Sequence, residues 1–300
     1  MADLHTTLVH FDLIYDEPVV LSPLVRRITA NNPSLFTGAG TNTYIVGTER
    51  FTVVDPGPSD PAHVEAILNA TGGKIDRILA THGHEDHSPA GKPLADATGA
   101  EMMGFMVSPE LEHLDISFAP VRDLQDGEII DAGEFQIKVI HTPGHLKRHM
   151  CFLLEQEQML FAGDHIMQGA TVVIIPPHGG TMWEYLESLQ KLKGTGIQLL
   201  APAHGHLLSD PDKVFQELYD HRLAREDKVL QVLETMKKGT LEELAPLVYP
   251  EVEGDLIKGT HIALWSHLQK LVHDGKATKH HQKHWIMGEE IWEIVAPSQI

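Results

Sequence analysis

The stretch Thr81-His82-Gly83-His84-Glu85-Asp86-His87, THGHEDH, decides how the fold of this 300-residue chain is read. Three histidines and an aspartate fall within six residues, directly after Arg77–Ala80 (RILA), a run with the composition of a buried strand. Side chains along an extended segment alternate, so His82 and His84 leave the strand on one side. The turn that follows carries Asp86 and His87 towards a second centre. Imidazole nitrogen and carboxylate oxygen together suit Zn²⁺, and less exclusively Fe or Mn.

Six residues cannot hold two metal ions, and the chain offers three more donors in similar settings: His145 in HTPGH, Asp164 in FAGDH and His204 in APAHGH. They divide into His82, His84 and His145 for one ion and Asp86, His87 and His204 for the other, with Asp164 bridging the pair. A lone histidine at a strand end is ordinarily a surface or satisfied core residue. It is the joint occurrence of seven donors at strand ends that argues for a metal centre. His165, beside Asp164, is placed to orient a substrate. His141 and His206 fit no ligand position and read as scaffold. Cys151 lies in an apolar strand with no catalytic partner, which argues against a cysteine nucleophile.

The flanking sequence alternates strand and helix signals. TNTYIVG at Thr41–Gly47 and FTVVDPGP at Phe51–Pro58 are β-rich runs closed by turn residues. PAHVEAILNA and PAGKPLADATGA have helical spacing, the second ending at Gly99. FQIKVIHTPGH, HMCFLLEQ, QMLFAGDH and IQLLAPAHGH are strands that end in turns, and TMWEYLESLQKLK is a helix with a capping box predicted at Thr181 and Glu184. Every strand of interest thus ends in a loop bearing His or Asp, where α/β folds place their chemistry. From Pro211 the texture changes to a long charged helix, then TLEELAPLVYP with a capping box at Thr240 and Glu243. A third helix has Ile262, Leu264, Trp265, Leu268 and Leu271 at helical spacing, and a hairpin-like tail HWIMGEEIWEIV follows. His280, His281 and His284 in KHHQKH read as a solvated loop.

Lys and Arg number 23 against 42 Asp and Glu, a formal net charge of −19. The balance stays negative from Leu208 onward, so DNA binding has no electrostatic support and neither has binding to an anionic membrane. The single cysteine, Cys151, points to a reducing compartment. The stretch MADLHTTLVHFDLIYDEP has early acids and no apolar h-region. The longest uncharged run, His165–Trp183, is broken by paired prolines and glycines and makes a poor membrane span. A cytoplasmic protein is expected. Its amphipathic C-terminal helices are compatible with a homodimer.

The ordered set of DPG at Asp55, H-x-H-x-D-H, TPGH, GD and AHGH, running from about Thr41 to Gly205, resembles the metallo-β-lactamase superfamily. Within it, TPGHLKRHM, FAGDHIMQG and the HR-x-x-RE stretch at His221 are similar to the beta-lactamase-like protein 2 group. The resemblance implies an α/β (α+β) fold: an αββα sandwich over residues 1–209 with a small winged-helix-like C-terminal domain over 210–300. It also implies that His82, His84, Asp86, His87, His145, Asp164 and His204 bind two Zn²⁺ ions, with Fe or Mn as alternatives. Asp55 matches the family's buried aspartate that orients ligands, and His149 matches the TPGH-x-x-x-H segment and supports the site. Gly83 stands where many relatives have a bulkier residue, which removes no donor.

The chemistry expected is hydrolysis by a metal-bridging hydroxide, without a covalent intermediate, with Asp86 as a ligand that also shuttles a proton. The uncharged segment Ile166–Met182, if it walls the pocket, suits a small ester, thioester or lactone. Single-stranded RNA cleavage stands second, opposed by the net charge of −19. Persulfide dioxygenation on non-haem iron, as in some members of the fold, stands third.

Overall fold

The β-rich runs pair into two mixed sheets laid face to face. The computed structural model describes residues 8–9, 13–106, 114–254, 257–281 and 290–295. The first half of the chain contributes β1 (Leu8–Val9), β2 (Val19–Val20), β3 (Val25–Thr29), β4 (Asn42–Val46), β5 (Phe51–Val54), α1 (Pro61–Thr71), β6 (Ile75–Leu79), α2 (Gly91–Thr98), β7 (Glu101–Met103), β8 (Ile129–Asp131) and β9 (Gln136–His141). Then come β10 (Met150–Leu154), β11 (Met159–Gly163), α3 (Met182–Leu192), β12 (Leu199–Pro202), β13 (Leu207–Ser209) and α4 (Pro211–Met236). One sheet has the order β2-β3-β4-β5-β6-β7, the other β1-β13-β12-β11-β10-β9-β8.

Strands buried along their whole length explain the layering. In β10 all five residues are buried. Met150, Phe152 and Leu154 face the interior between the sheets, while Cys151 and Leu153 face the layer covered by α3 and α4. In β5 the same alternation sends Val54 inward and Val53 towards α1 and α2, which bring Ile67 and Leu94. The result is the αββα sandwich that the sequence resemblance implies, a strand being fully buried only where both faces are covered. α1 starts on Pro61, with the Asp60 carboxylate accepting from the Ala62 N–H, and stops at Gly72 in the left-handed region, φ 57°.

Strand direction then gathers the motifs at one edge. β5 and β6 are parallel, as are β11 and β12, and β9 is antiparallel to β10, which is antiparallel to β11. The C-terminal ends of β9, β11 and β12 therefore lie on one side of their sheet, and those of β5 and β6 on one side of the other. Bridges between the sheets bring these edges together: the Met150 N–H donates to the Thr81 carbonyl at 3.0 Å, and the Asn42 N–H to the Ala203 carbonyl at 2.7 Å.

Beyond β13, α4 runs 26 residues and enters two cores. Val214, Phe215 and Leu218 pack beneath α3, whereas Val229 and Leu233 join a C-terminal core with Leu264, Leu268, Leu271 and Trp292. This second core is built from α5 (Leu241–Val248), α6 (Ile257–His273) and a sheet ordered β14 (Lys238–Gly239), β16 (Glu290–Ile294), β15 (Ala277–His281). The capping box at Thr240 and Glu243 forms in both directions. The one predicted at Thr181 and Glu184 does not: the Thr181 N–H donates to the Gly144 carbonyl at 2.8 Å, and its hydroxyl donates to Glu184 instead. His280 and His281 are not in a loop but on β15, because the strand that pairs with β16 begins at Ala277. His284 and the first arm of the expected HWIMGEEIWEIV hairpin lie outside the described residues.

Candidate metal centre

The seven donors read from the sequence converge where the two sheets' edges meet. His82, His84, His145 and Asp164 offer donor atoms within 4.8 Å of one another, and so do Asp86, His87 and His204. His84 Nδ1 stands 2.8 Å from His82 Nε2 and 3.1 Å from His145 Nε2. In the second group, Asp86 Oδ2 is 3.4 Å from His87 Nε2 and 3.3 Å from His204 Nε2. Asp164 faces both: its Oδ1 is 3.4 Å from His87 Nε2 and 3.3 Å from His204 Nε2, while its Oδ2 is 3.7 Å from His145 Nε2.

None of the second group's approaches to Asp164 has hydrogen-bond geometry. His87 Nε2, His204 Nε2 and Asp164 Oδ1 are buried with no hydrogen-bond partner. Buried polar atoms left unpaired cost free energy, of order 1–3 kcal/mol each. Three of them pointed at a common space, among nitrogen and carboxylate donors, fit a divalent cation.

The opposite ring nitrogens are held by protein. His82 Nδ1 meets the Thr81 hydroxyl at 3.1 Å, and that hydroxyl donates to Asp55 Oδ2 at 2.9 Å. His87 Nδ1 reaches the same Asp55 oxygen at 3.3 Å, and Asp55 Oδ1 accepts from the Thr81 N–H at 2.8 Å. His145 Nδ1 donates to the Val173 carbonyl at 2.6 Å, and His204 Nδ1 faces the Gly40 carbonyl at 3.3 Å. Each such contact fixes a tautomer and leaves the other nitrogen free to coordinate. His149 acts one step further out. Its Nε2 accepts from the Asp164 N–H at 3.2 Å, which requires Nδ1 to carry the proton towards the Thr142 hydroxyl, 2.9 Å away.

Burial is the largest influence on every imidazole in the cluster. It takes His82 and His149 well below the usual histidine range, His84 down to about 3, and His145 down against the pull of Asp164. At His87 and His204 burial is outweighed by carboxylates. Asp86 and Asp164 raise His87 well above its usual value, and Asp164 with Asp86 brings His204 up to about 9. Burial works against both carboxylates too, yet His87 first, and then His204, hold Asp86 and Asp164 well below the usual carboxylate range. Burial thus favours the neutral, lone-pair-donating form at His82, His84, His145 and His149, while the carboxylates favour the cationic form at His87 and His204.

A cavity of about 600 Å³ opens on this cluster. One lip is the segment at Asn32, Leu35 and Phe36; the opposite wall is the uncharged segment, through Met167, Ala170, Thr171, Val173 and Ile175. His84, Glu85, Asp86, His145 and Asp164 form the polar floor, and no lysine or arginine lines the space among the described residues. His165 does not line it: the ring is fully buried against Tyr185, centroids 5.0 Å apart, and burial pushes it down to about 3. His141 is scaffold, its Nε2 3.0 Å from the Leu124 carbonyl. Cys151 is core, its thiol pushed up to about 12 by burial. The sequence reading missed Thr81, Thr142 and the Leu35–Phe36 lip. The position of Thr81, next to His82 and two residues beyond the end of β6, was the one available signal for the first.

Comparison with known proteins gives a consistent picture. The family profile of the Metallo-beta-lactamase superfamily matches residues 36–204. An "Atrochrysone carboxyl ACP thioesterase" of Aspergillus chevalieri is 33% identical over 253 residues, covering 79% of this chain and 77% of that protein. A "Beta-lactamase-like protein 2 homolog" of Drosophila melanogaster is 30% identical over 282 residues, covering 86% and 93%. Among solved structures, a beta-lactamase domain protein from Burkholderia ambifaria superposes with a TM-score of 0.77 at 20% identity, over 93% of this chain and 94% of that one.

Proposed function

The chain belongs to the metallo-β-lactamase superfamily, and from that premise we propose that it is a dinuclear, zinc-dependent hydrolase of an uncharged acyl thioester, or of a related small ester or lactone. The observation that supports this reading is the cavity over the seven donors: among the described residues its walls are apolar or neutral, and the charged side chains that line it are acidic. Beyond the metal ions themselves, a substrate carboxylate or phosphate would meet Glu85 and, among the described lining residues, no lysine or arginine to hold it. An apolar acyl group meets Leu35, Phe36, Val173 and Ile175. The thioesterase named among the relatives adds weight to the thioester. Among the described lining residues no lysine or arginine is present to hold an RNA backbone.

His82, His84 and His145 would hold one ion and Asp86, His87 and His204 the other, with Asp164 between them. Bound there, divalent metal supplies an activated water near neutral pH and polarises the scissile carbonyl. The protein's own part is orientation and exclusion. Asp55, Thr81 and the Val173 carbonyl fix the histidine rings, His149 fixes Asp164, and the uncharged wall keeps water from the acyl group. Asp86 is more exposed than the other carboxylate, 28% against 12%, and is placed to pass a proton to the leaving group. We read residues 210–300 as a winged-helix-like unit that packs against the catalytic sandwich in a cytoplasmic enzyme and binds no DNA.

The test compares, on protein of measured metal content, a neutral acyl thioester, p-nitrophenyl acetate, an acyl-lactone, bis-p-nitrophenyl phosphate and a fluorescent single-stranded RNA. Chelator-sensitive turnover of acyl substrates with RNA intact is expected. RNA cleavage with poor acyl turnover would overturn the substrate reading. His84→Ala and Asp164→Ala should each lose metal and at least a hundredfold in rate while remaining folded; full activity in metal-depleted protein would sink the mechanism.

A further inference from the structure

Between the bridging aspartate and α3 the chain has no regular secondary structure until the 3₁₀ turn Pro176–His178. Such a segment must find partners for its backbone groups outside a ladder. Its middle is extended. Val172 and Ile174 are buried in the core shared with α3 and α4, while Thr171, Val173 and Ile175 line the cavity. Successive carbonyls then point opposite ways. The Val173 carbonyl accepts from His145 Nδ1, and the Val172 carbonyl accepts from the Arg222 guanidinium on α4.

Arg222 is an expensive residue where it stands. It is 4% exposed, and among the described residues no carboxylate pairs with it. A buried guanidinium without a counter-ion is destabilising unless its donors and its face are used. Here one donor and the face are used on the wall, while Nε has no hydrogen-bond partner among the described residues. The guanidinium carbon lies 5.3 Å from the centroid of Tyr185, and the Tyr185 hydroxyl donates at 3.3 Å to the His165 carbonyl, at the wall's other end. Arg222 and the tyrosine beneath it thus hold the segment at two carbonyls, one directly behind a putting-in-place contact to a metal-binding histidine.

We propose that Arg222 is a positioning residue for the metal centre: it clamps the uncharged wall through the Val172 carbonyl and so sets the Val173 carbonyl that orients His145. The proposal rests on the reading of His145 as a metal ligand. It also makes α4, which continues into the C-terminal core, a working part of the site.

The test is Co²⁺ affinity and the Co²⁺ electronic absorption spectrum of the full-length protein, in four variants. Arg222→Met should weaken binding at the higher-affinity site tenfold or more and shift the spectrum, and Arg222→Lys, which keeps the charge but not the planar fork, should give a smaller shift of the same kind. Leu233→Ala, in the C-terminal core, reports what lost stability alone does, and should leave the spectrum unchanged. His145→Ala tests the premise. If it keeps wild-type affinity, the site reading itself fails. If it loses metal while Arg222→Met keeps both affinity and spectrum, the positioning role alone is overturned, as it is if Leu233→Ala shifts the spectrum equally. Should Arg222→Met not fold, an unshifted Arg222→Lys spectrum overturns the role.

Discussion

Asp55 has φ 47°, in the left-handed region that a β-carbon disfavours, and short polar side chains are the ones that tolerate it. The conformation turns both carboxylate oxygens back onto Thr81 and His87. Asp55→Asn keeps the volume and the tolerance of positive φ but replaces one acceptor by a donor, facing groups that are themselves donors. Affinity for a divalent metal is therefore expected to fall 10- to 100-fold, with little change in Tm. Competition against a chromophoric chelator measures it, and wild-type affinity would remove Asp55 from the ligand-orienting role. At this scale the seven donors were legible because strand ends and His or Asp leave a pattern in one dimension. The hydroxyl of Thr81 leaves only its place beside His82 and the carbonyl of Val173 leaves nothing, since a relay through a hydroxyl or a backbone oxygen has no spacing signature.

His267 shows what an element can hide. On α6 it reads as a polar interruption of an apolar stripe, yet it is 1% exposed. Burial first, then Arg222 and Arg225 with His221 and Lys270, keeps it well below the usual histidine range; the Glu226 carboxylate of α4 is already paired with Lys270 at 3.0 Å. The unfolded chain takes up a proton near pH 6.5 that the folded chain refuses. Stability is therefore intact above that pH and falls as pH drops below it, towards the depressed folded value. His267→Leu should flatten this slope by up to about 1.4 kcal/mol per pH unit, as read from urea midpoints at pH 7, 6 and 5; parallel slopes in the two proteins would refute it. Element boundaries were legible where periodicity was strong, as in α1, α2 and β9 to β12. They failed where a tertiary partner decided the matter. Gly144 took the Thr181 N–H from the expected capping box, and β16 drew His280 and His281 into a strand.

Across the whole molecule, α4 is the element that the sequence places in the appended module and the structure shares between two cores. Its first half supplies Val214, Phe215 and Leu218 to the layer beneath α3, and its second half supplies Val229 and Leu233 to the C-terminal core. A second joint lies at α3 and α6, where Trp183 and His273 stack with centroids 4.4 Å apart and planes 3° from parallel. Opening the C-terminal core would release one end of a helix whose other end covers the catalytic sheet. Burial of this kind couples the two units, since each large apolar side chain withdrawn costs about 2–5 kcal/mol. A chain cut after Ser209 loses Val214, Phe215 and Leu218 from the core beneath α3 at once and should be insoluble or unable to hold a divalent metal. In the intact protein, differential scanning calorimetry should give one transition, with a calorimetric enthalpy equal to the van't Hoff value. Two separated transitions would show that the sandwich stands without its C-terminal partner, and the role given to α4 would then end at Leu218.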